Sequence, residues 1–195
     1  MNMQQQIQQP ETGYLPGDMA LWYFLCAELG VFALLIAGSA LVRISHPDLF
    51  QSGMAVLHPL AGVINTLALI SGSYCVARAV ICVRHQSPLA YRFFIATALT
   101  GMIYISVKLW EYQSLLSDGY SLHYDAFFTF YFLATFFHFM HVVAGVVIVL
   151  IYARALKKNG RNENSISHSE SVAAYWHMVD LVWIVLFPAL YFMRG

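Results

Sequence analysis

The stretch AFFTFYFLATFFHFMHVVAGVVIVLIY, residues 126–152, contains no Asp, Glu, Lys or Arg. A bilayer core of about 30 Å is crossed by about 20 apolar residues in a helix that rises about 1.5 Å per residue. The stretch is longer than this minimum, and it lacks the two-residue alternation of a membrane β-strand. It therefore predicts a transmembrane helix and places the chain in a membrane.

Other apolar stretches of comparable length lie on both sides of it. Together they predict spans near 19–43, 56–82, 91–113, 126–152 and 172–193. The breaks between them are polar or turn-rich, and they read RISHPDLFQSG, VRHQSPLA, SLLSDGYSLHYD and KKNGRNENSISHSE. We predict an all-α polytopic protein, a bundle of five transmembrane helices over residues 19–195, preceded by a disordered polar tail over residues 1–18.

Composition and charge exclude several classes of protein. The chain is 59% hydrophobic and 10% charged, with formal net charge zero, so it has no basic surface for nucleic acid. Its three cysteines form no CxxC motif, and neither a disulfide framework nor a thiolate metal site is expected. Lys and Arg concentrate around the second and fourth breaks, which predicts that these loops are cytoplasmic, with the N-terminus inside and the C-terminus outside.

Glu28 is the most unusual polar residue of the predicted spans. A charge at the centre of a bilayer costs about 2.5–3.5 kcal/mol on insertion scales. The neighbours of Glu28 one helical turn away are all apolar, namely Phe24, Leu25, Val31 and Phe32. Its partner must therefore come from another helix, a lipid or a proton. A neutral, hydrogen-bonded glutamic acid and a functional carboxyl both remain open.

Lys108 and Glu111 stand three residues apart in the third span, so they can form an ion pair on one helix face. We interpret this pair as structural. Because it lies close to the acidic third break, both side chains are expected to reach toward water.

Two further pairs share a helix face: His138 with His141 in the fourth span, and His177 with Asp180 in the fifth. The favoured hypothesis is a hydrogen-bonded polar seam that joins these two helices. The alternative is a membrane haem or metal-binding protein that uses His138, His141 and His177. We expect no metal site, because such sites usually need three or four ligands at defined spacing.

Two weaker hypotheses concern transport and lipid. Glu28 and His138 near the midplane would suit a proton-coupled carrier, but five spans do not divide into two equal repeats. Arg154 begins a basic cluster at the end of the fourth span. That cluster suits anionic lipid headgroups, and it equally suits plain positive-inside topology.

Motifs in four spans resemble subunit III of the haem-copper oxidases. They are NTLALISGS from Asn65, KLWEYQSLLSDGY, FHFMHVVAG, and ESVAAYWHMVDLVW from Glu170. The chain is similar to the short type that lacks the first two of seven helices. Its LPGD, WYFLCAELGVF and YWHMVDLVWIVLFP segments most resemble NorE-type proteins, which accompany nitric oxide reductase.

The resemblance implies a non-catalytic accessory subunit in the bacterial inner (cytoplasmic) membrane. It implies no cofactor of its own, phospholipid as a ligand, and a catalytic partner that carries haem and metal, either a nitric oxide reductase or a cytochrome or quinol oxidase. Support of assembly, proton uptake and stability is the implied role. By the same resemblance Glu28 matches the carbodiimide-reactive membrane glutamate beside the lipid cleft, and Arg154 would meet a lipid headgroup. The missing helices form one wall of that cleft.

Overall fold

The computed structural model describes residues 19–159 and 165–192, and the predicted tail 1–18 lies outside them. Its described residues form helices joined by short loops, without a strand. Five of the helices are long and apolar enough to cross a membrane. The chain is thus an all-α polytopic membrane protein, as predicted. In order, the helices are α1 Met19–Ser45, α2 Pro47–Val56, α3 Pro59–Arg84, α4 Ala90–Ser117, α5 Ala126–Asn159 and α6 Ser165–Tyr191.

The short helix α2 corrects the prediction that the first break is a loop. Pro47 stands in its first turn, where a missing backbone N–H costs nothing. Phe50 and Met54, one turn apart, are both buried, while the intervening Gln51 and Ser52 are exposed. This is the pattern of an amphipathic helix lying on the end of the bundle.

The last two spans are also longer than predicted. α5 continues seven residues beyond 152, to Asn159, and α6 begins at Ser165 instead of 172. Sequence reasoning ended both spans where polar residues began. A helix that leaves the hydrocarbon core keeps its own backbone hydrogen bonds, so polar residues such as Lys157 extend it without penalty.

α6 is the central helix of the bundle. It packs against α1, α3 and α5. In the most apolar stretch of α6, 56% of the residues are buried, against 11% in the corresponding stretch of α1. α3, α4 and α5 follow one another around it, whereas α1 packs on α5 and α6 and makes little contact with α3 or α4. α1 is therefore a peripheral helix, and a gap separates it from α3.

Three glycines from three helices let the indole of Trp176 into the middle of the bundle. A Cβ added at Gly72 of α3 or Gly101 of α4 would lie 2.9 or 2.8 Å from the indole, and one at Gly145 of α5 would lie 3.4 Å from it. The first two distances leave no room for a side chain, and at Gly145 the indole lies in contact with the position a Cβ would take. We call this arrangement the Trp176 socket, and it fixes the first half of α6 against α3, α4 and α5.

The two ends of the bundle differ in charge. The end formed by the start of α1, the Arg84–Ala90 turn and the facing ends of α5 and α6 carries most of the Lys and Arg residues, and we call it the basic end. The opposite end carries α2 and the loop with Asp118 and Asp125, and we call it the acidic end.

Candidate functional site

Glu28 finds its partner on α5. Its Oε2 lies 3.2 Å from Nε2 of His141, and the two side chains are 18% and 11% exposed. The contact is close enough for an ion pair, although Oε2 has no well-aligned hydrogen-bond donor among the described residues. The helix that carries Glu28 supplies no partner for it, as the sequence indicated.

The hydrogen-bond geometry limits where the protons of this pair can be. Nδ1 of His141 lies 2.8 Å from the carbonyl oxygen of Phe137. A carbonyl oxygen only accepts, so Nδ1 carries a hydrogen. Lone pairs on Nε2 and on the Glu28 carboxylate would repel each other at their observed separation. A proton on Nε2 of His141 or on the Glu28 carboxyl would remove this repulsion.

Aromatic rings surround this pair and bring three helices together. Phe32 of α1 is buried and lies edge-to-face with the ring of His141, with centroids 5.7 Å apart. The Tyr175 hydroxyl of α6 donates to the backbone carbonyl of His141 at 3.2 Å, and the Tyr175 ring stacks on Phe24. The Glu28 site is thus where α1 meets α5 and α6.

His138 faces a different part of the bundle. It is completely buried, it stacks on Trp183 with centroids 5.3 Å apart, and it lies edge-to-face with Tyr104 at 5.5 Å. Neither ring nitrogen has a hydrogen-bond partner among the described residues. In this structure His138 packs as one ring of an aromatic cluster.

His177 and Asp180 are separated from both of these histidines. Oδ2 of Asp180 accepts a hydrogen bond of 2.6 Å from Ser73 on α3, and His177 is exposed.

The prediction of one seam joining the α5 and α6 pairs is therefore wrong. Residues three apart on a helix differ by about 60° in direction, which in a packed bundle is enough to face different neighbours. Nor do the described residues contain a group of three or more His, Cys, Asp or Glu that could hold a metal ion.

Lys108 and Glu111 form the predicted ion pair, at 2.8 Å between Nζ and Oε2. The ammonium also donates to the hydroxyls of Tyr131 at 3.0 Å and Tyr191 at 3.1 Å. The Tyr191 hydroxyl in turn donates to Oε1 of Glu111 at 2.7 Å. All three N–H groups of a protonated lysine thus have an acceptor.

The expectation that these two side chains reach toward water is wrong, because both are 0% exposed. Four rings lie 4.8–5.7 Å from the ammonium, those of Tyr112, Tyr131, Trp183 and Tyr191. Tyr131 is covered in turn by Phe127, whose ring packs against Phe50 of α2. Helix α2, which the sequence did not predict, therefore helps to separate Lys108 from the acidic end.

At the basic end the structure adds residues that sequence reasoning missed. Arg84 of α3 pairs with Glu170 of α6 at 2.6 Å, a contact that joins two helices distant in sequence and leaves no local signal. Arg154 is exposed near the end of α5.

The Arg84–Glu170 pair stands at the mouth of a cavity of about 620 Å³ between α1 and α3, floored by α6. We call this cavity the α1–α3 groove. Neither Glu28 nor Arg154 lines it.

Comparisons with known proteins agree on one family. The sequence profile described as cytochrome c oxidase subunit III matches residues 30–194. A probable quinol oxidase subunit 3 of Staphylococcus saprophyticus is 28% identical, over 89% of this chain and 87% of its own length. The cytochrome c oxidase subunit 3 of Thermostichus vulcanus is 29% identical, over 90% and 86%. A haem-copper oxidase subunit I+III of Aeropyrum pernix is 25% identical, over 88% of this chain and 22% of its own length.

Proposed function

Because the chain belongs to the cytochrome c oxidase subunit III family, we propose that it is a non-catalytic accessory subunit of a haem-copper-type respiratory complex. The observation that carries the proposal is the profile match over nearly all of the transmembrane bundle. The polar residues agree with it: Lys108 and Glu111 are enclosed and fully paired, and His138 is packed among rings. None of them stands as a nucleophile beside a base in an open pocket, which is what chemistry of its own would need.

The partner in this proposal is a catalytic haem-copper subunit, and its substrate is either nitric oxide or oxygen. The LPGD segment and the YWHMVDLVWIVLFP ending favour nitric oxide reductase, since they resemble NorE-type proteins. The relatives compared above are named as oxidase subunits, which favours oxygen. We keep nitric oxide reductase as the first candidate and an oxygen reductase as the second.

The proposed setting is the bacterial inner membrane with the basic end in the cytoplasm. In this setting the subunit supports assembly, proton uptake and stability of its partner, and it binds phospholipid. The Glu28–His141 pair supports a role connected with protons, because two ionisable side chains lie 3.2 Å apart within membrane-spanning segments.

A mild-detergent pull-down of the tagged chain from native membranes tests the proposal. We expect a haem-containing catalytic subunit to copurify, and its haem spectrum to be absent from the chain purified alone. Turnover with nitric oxide and with oxygen then separates the two partners. A haem or metal bound stoichiometrically to the isolated chain, or repeated recovery without any haem protein, would contradict the proposal.

A further inference from the structure

Three buried polar side chains near the centre of the bundle have no hydrogen-bond partner among the described residues. They are Asn65 of α3, Tyr104 of α4 and His138 of α5, and each is 0% exposed. The unpartnered atoms are Oδ1 and Nδ2 of Asn65, the Tyr104 hydroxyl oxygen and both ring nitrogens of His138. Buried polar groups of native proteins are generally hydrogen bonded. Five unpartnered atoms on three helices therefore indicate that a further group binds between them.

Trp183 of α6 brings two of these side chains together. Its ring stacks on His138 with centroids 5.3 Å apart, and it lies edge-to-face with Tyr104 at 5.1 Å. The rings of His138 and Tyr104 also contact each other, with centroids 5.5 Å apart. The indole N–H of Trp183 donates to Thr66 at 3.0 Å. The indole therefore supplies neither ring with a hydrogen bond.

Asn65 lies at the same level of the bundle. A Cβ added at Gly62 of α3 would collide with Phe187 of α6, and the Trp176 socket joins the same two helices nearer the basic end. The two helices thus run antiparallel along one contact face. Asn65 is one turn beyond Gly62 on that face, and Trp183 is one turn before Phe187, so the two lie opposite each other. We call this set of residues the Trp183 layer: Asn65, Tyr104, His138 and Trp183.

The Trp183 layer is enclosed toward both ends of the bundle. The Trp176 socket lies on its basic side. On its acidic side the Lys108 ammonium lies 5.4 Å from the Trp183 ring centroid, and Lys108 and Glu111 are both 0% exposed. Trp183 itself is 0% exposed. Any group that satisfies the unpartnered atoms must therefore be small and shielded from solvent.

We propose that the Trp183 layer binds trapped water molecules. The Asn65 amide, the Tyr104 hydroxyl and the His138 ring together offer both hydrogen-bond donors and acceptors. Water can satisfy all of them, because each molecule donates as well as accepts. An ion of either sign would suit only part of the set, since the Asn65 amide alone carries both a donor and an acceptor. A buried water makes about three hydrogen bonds, so about two molecules cover the set.

The water connects α3, α4 and α5 by hydrogen bonds at the level where Trp183 supplies the contact with α6. Inside a bilayer no outside solvent can satisfy these polar groups, so the water enters while the bundle assembles. It is then a structural component of the fold. This inference goes beyond the proposed function and does not rest on it, because it concerns this chain alone.

X-ray radiolytic footprinting of the full-length chain in lipid nanodiscs tests the proposal. Hydroxyl radicals that form from bound water oxidise the side chains next to it. We expect Tyr104 to be oxidised, although it is 0% exposed. Tyr131 is the matched control within the chain, because it is equally buried and its hydroxyl already accepts from Lys108 at 3.0 Å. It should stay protected.

Two outcomes of this comparison would overturn the proposal. If Tyr104 is protected as completely as Tyr131, no water lies beside it. If the two tyrosines are oxidised equally, solvent enters the whole bundle and the Trp183 layer is not a distinct site.

A rapid shift into heavy-oxygen water, followed at once by irradiation, measures the trapping. Tyr124 is 58% exposed and should incorporate the heavy isotope at the first time point. Tyr104 should still incorporate the light isotope, from water that was bound before the shift. Heavy oxygen in both residues at the first time point would contradict a trapped site.

Two substitutions connect the oxidation of Tyr104 to its proposed water partners. Asn65→Leu removes two polar atoms at similar volume, and oxidation of Tyr104 should fall to the level of Tyr131. Thr135→Val is the matched control, because Thr135 is also 0% exposed but its hydroxyl donates to the Tyr131 carbonyl at 2.6 Å. It should leave oxidation of Tyr104 unchanged.

Oxidation of Tyr104 that persists in a folded Asn65→Leu chain would overturn the proposed site. If Asn65→Leu does not fold, the comparison of Tyr104 with Tyr131 in the unaltered chain still decides.

Discussion

The Lys108–Glu111 pair and the Glu28–His141 pair meet the low polarity of the membrane interior in opposite ways. Around Lys108 every ammonium hydrogen has an acceptor, and both charged side chains are 0% exposed. Glu28 has a single contact of 3.2 Å and keeps 18% exposure. The first pair connects α4 with α5 and α6 through two tyrosines, whereas the second connects only α1 to α5. A saturated cluster, in which every hydrogen-bond donor has an acceptor, is part of the scaffold. A single contact such as Glu28–His141 can open without disturbing the packing of the other helices.

The largest effect is expected from breaking the saturated cluster. Glu111→Gln removes the carboxylate and leaves the Lys108 ammonium buried without its counter-charge. Loss of one partner of a buried ion pair typically costs about 3–5 kcal/mol. The free energy of unfolding, measured by titration from mild detergent into a denaturing one, should fall by that order.

Two controls show whether the loss arises from an unpaired charge. Lys157→Met removes an exposed lysine from α5 and should change the free energy of unfolding by no more than about 0.5 kcal/mol. The double variant Lys108→Met/Glu111→Leu removes both charges and should recover much of the loss. If the double variant is less stable than Glu111→Gln, charge pairing is not what determines the contribution of the cluster to the free energy of unfolding.

The second effect compares the tightly packed centre with peripheral α1. Gly101→Ala places a methyl group 2.4 Å from Val146 and 2.8 Å from Trp176. Such overpacking typically costs about 1–3 kcal/mol. Gly30→Ala on α1 meets nothing within 4 Å, and it should be neutral or slightly stabilising. Equal effects of the two substitutions would show that the Trp176 socket is not tight.

A smaller effect is expected at the Glu28–His141 contact. In a double-mutant cycle of Glu28→Leu and His141→Phe, we expect a coupling energy of about 0.5–1.5 kcal/mol. Glu28→Gln should keep much of the contact, because its amide N–H can donate to Nε2 of a His141 whose Nδ1 is already protonated. A Gln substitution as disruptive as Leu would show that the contact requires the carboxyl charge.

The smallest effect is expected for Arg154→Gln. Arg154 is exposed near the basic end, and exposed substitutions of this kind usually change stability by less than about 0.5 kcal/mol. The same unfolding titration measures it. A loss above about 1 kcal/mol would reveal a structural contact of Arg154 that exposure does not suggest.

Much of the fold could be predicted because lipid imposes a length and a composition on every span. Residues 126–152 and the other four predicted spans each meet that requirement on their own. Helix α2 has no clear signal in the sequence, because it is too short to span a membrane and contains Pro47 and Gly53, which are typical of loops. Its apolar side is covered only in the folded bundle, where Met54 is buried and Phe50 packs against Phe127 of α5.

The site was predicted less well, because partners across helices leave no pattern in sequence. Spacing showed that Lys108 could reach Glu111, but the burial of that pair depends on Tyr131 and Tyr191, far away in the chain. The need of Glu28 for an outside partner could be inferred, whereas the identity of that partner could not. The resemblance indicates the family. Only the folded structure shows that Arg84 pairs with Glu170 at the mouth of the α1–α3 groove.

The Trp176 socket also has a consequence for the order of events during biosynthesis. Gly72, Gly101 and Gly145 belong to helices that leave the ribosome before α6 does. Until α6 inserts, the ring that these glycines contact in the folded protein is absent. The earlier helices can thus enter the membrane one by one, but their mutual packing is completed only when the helix they surround arrives.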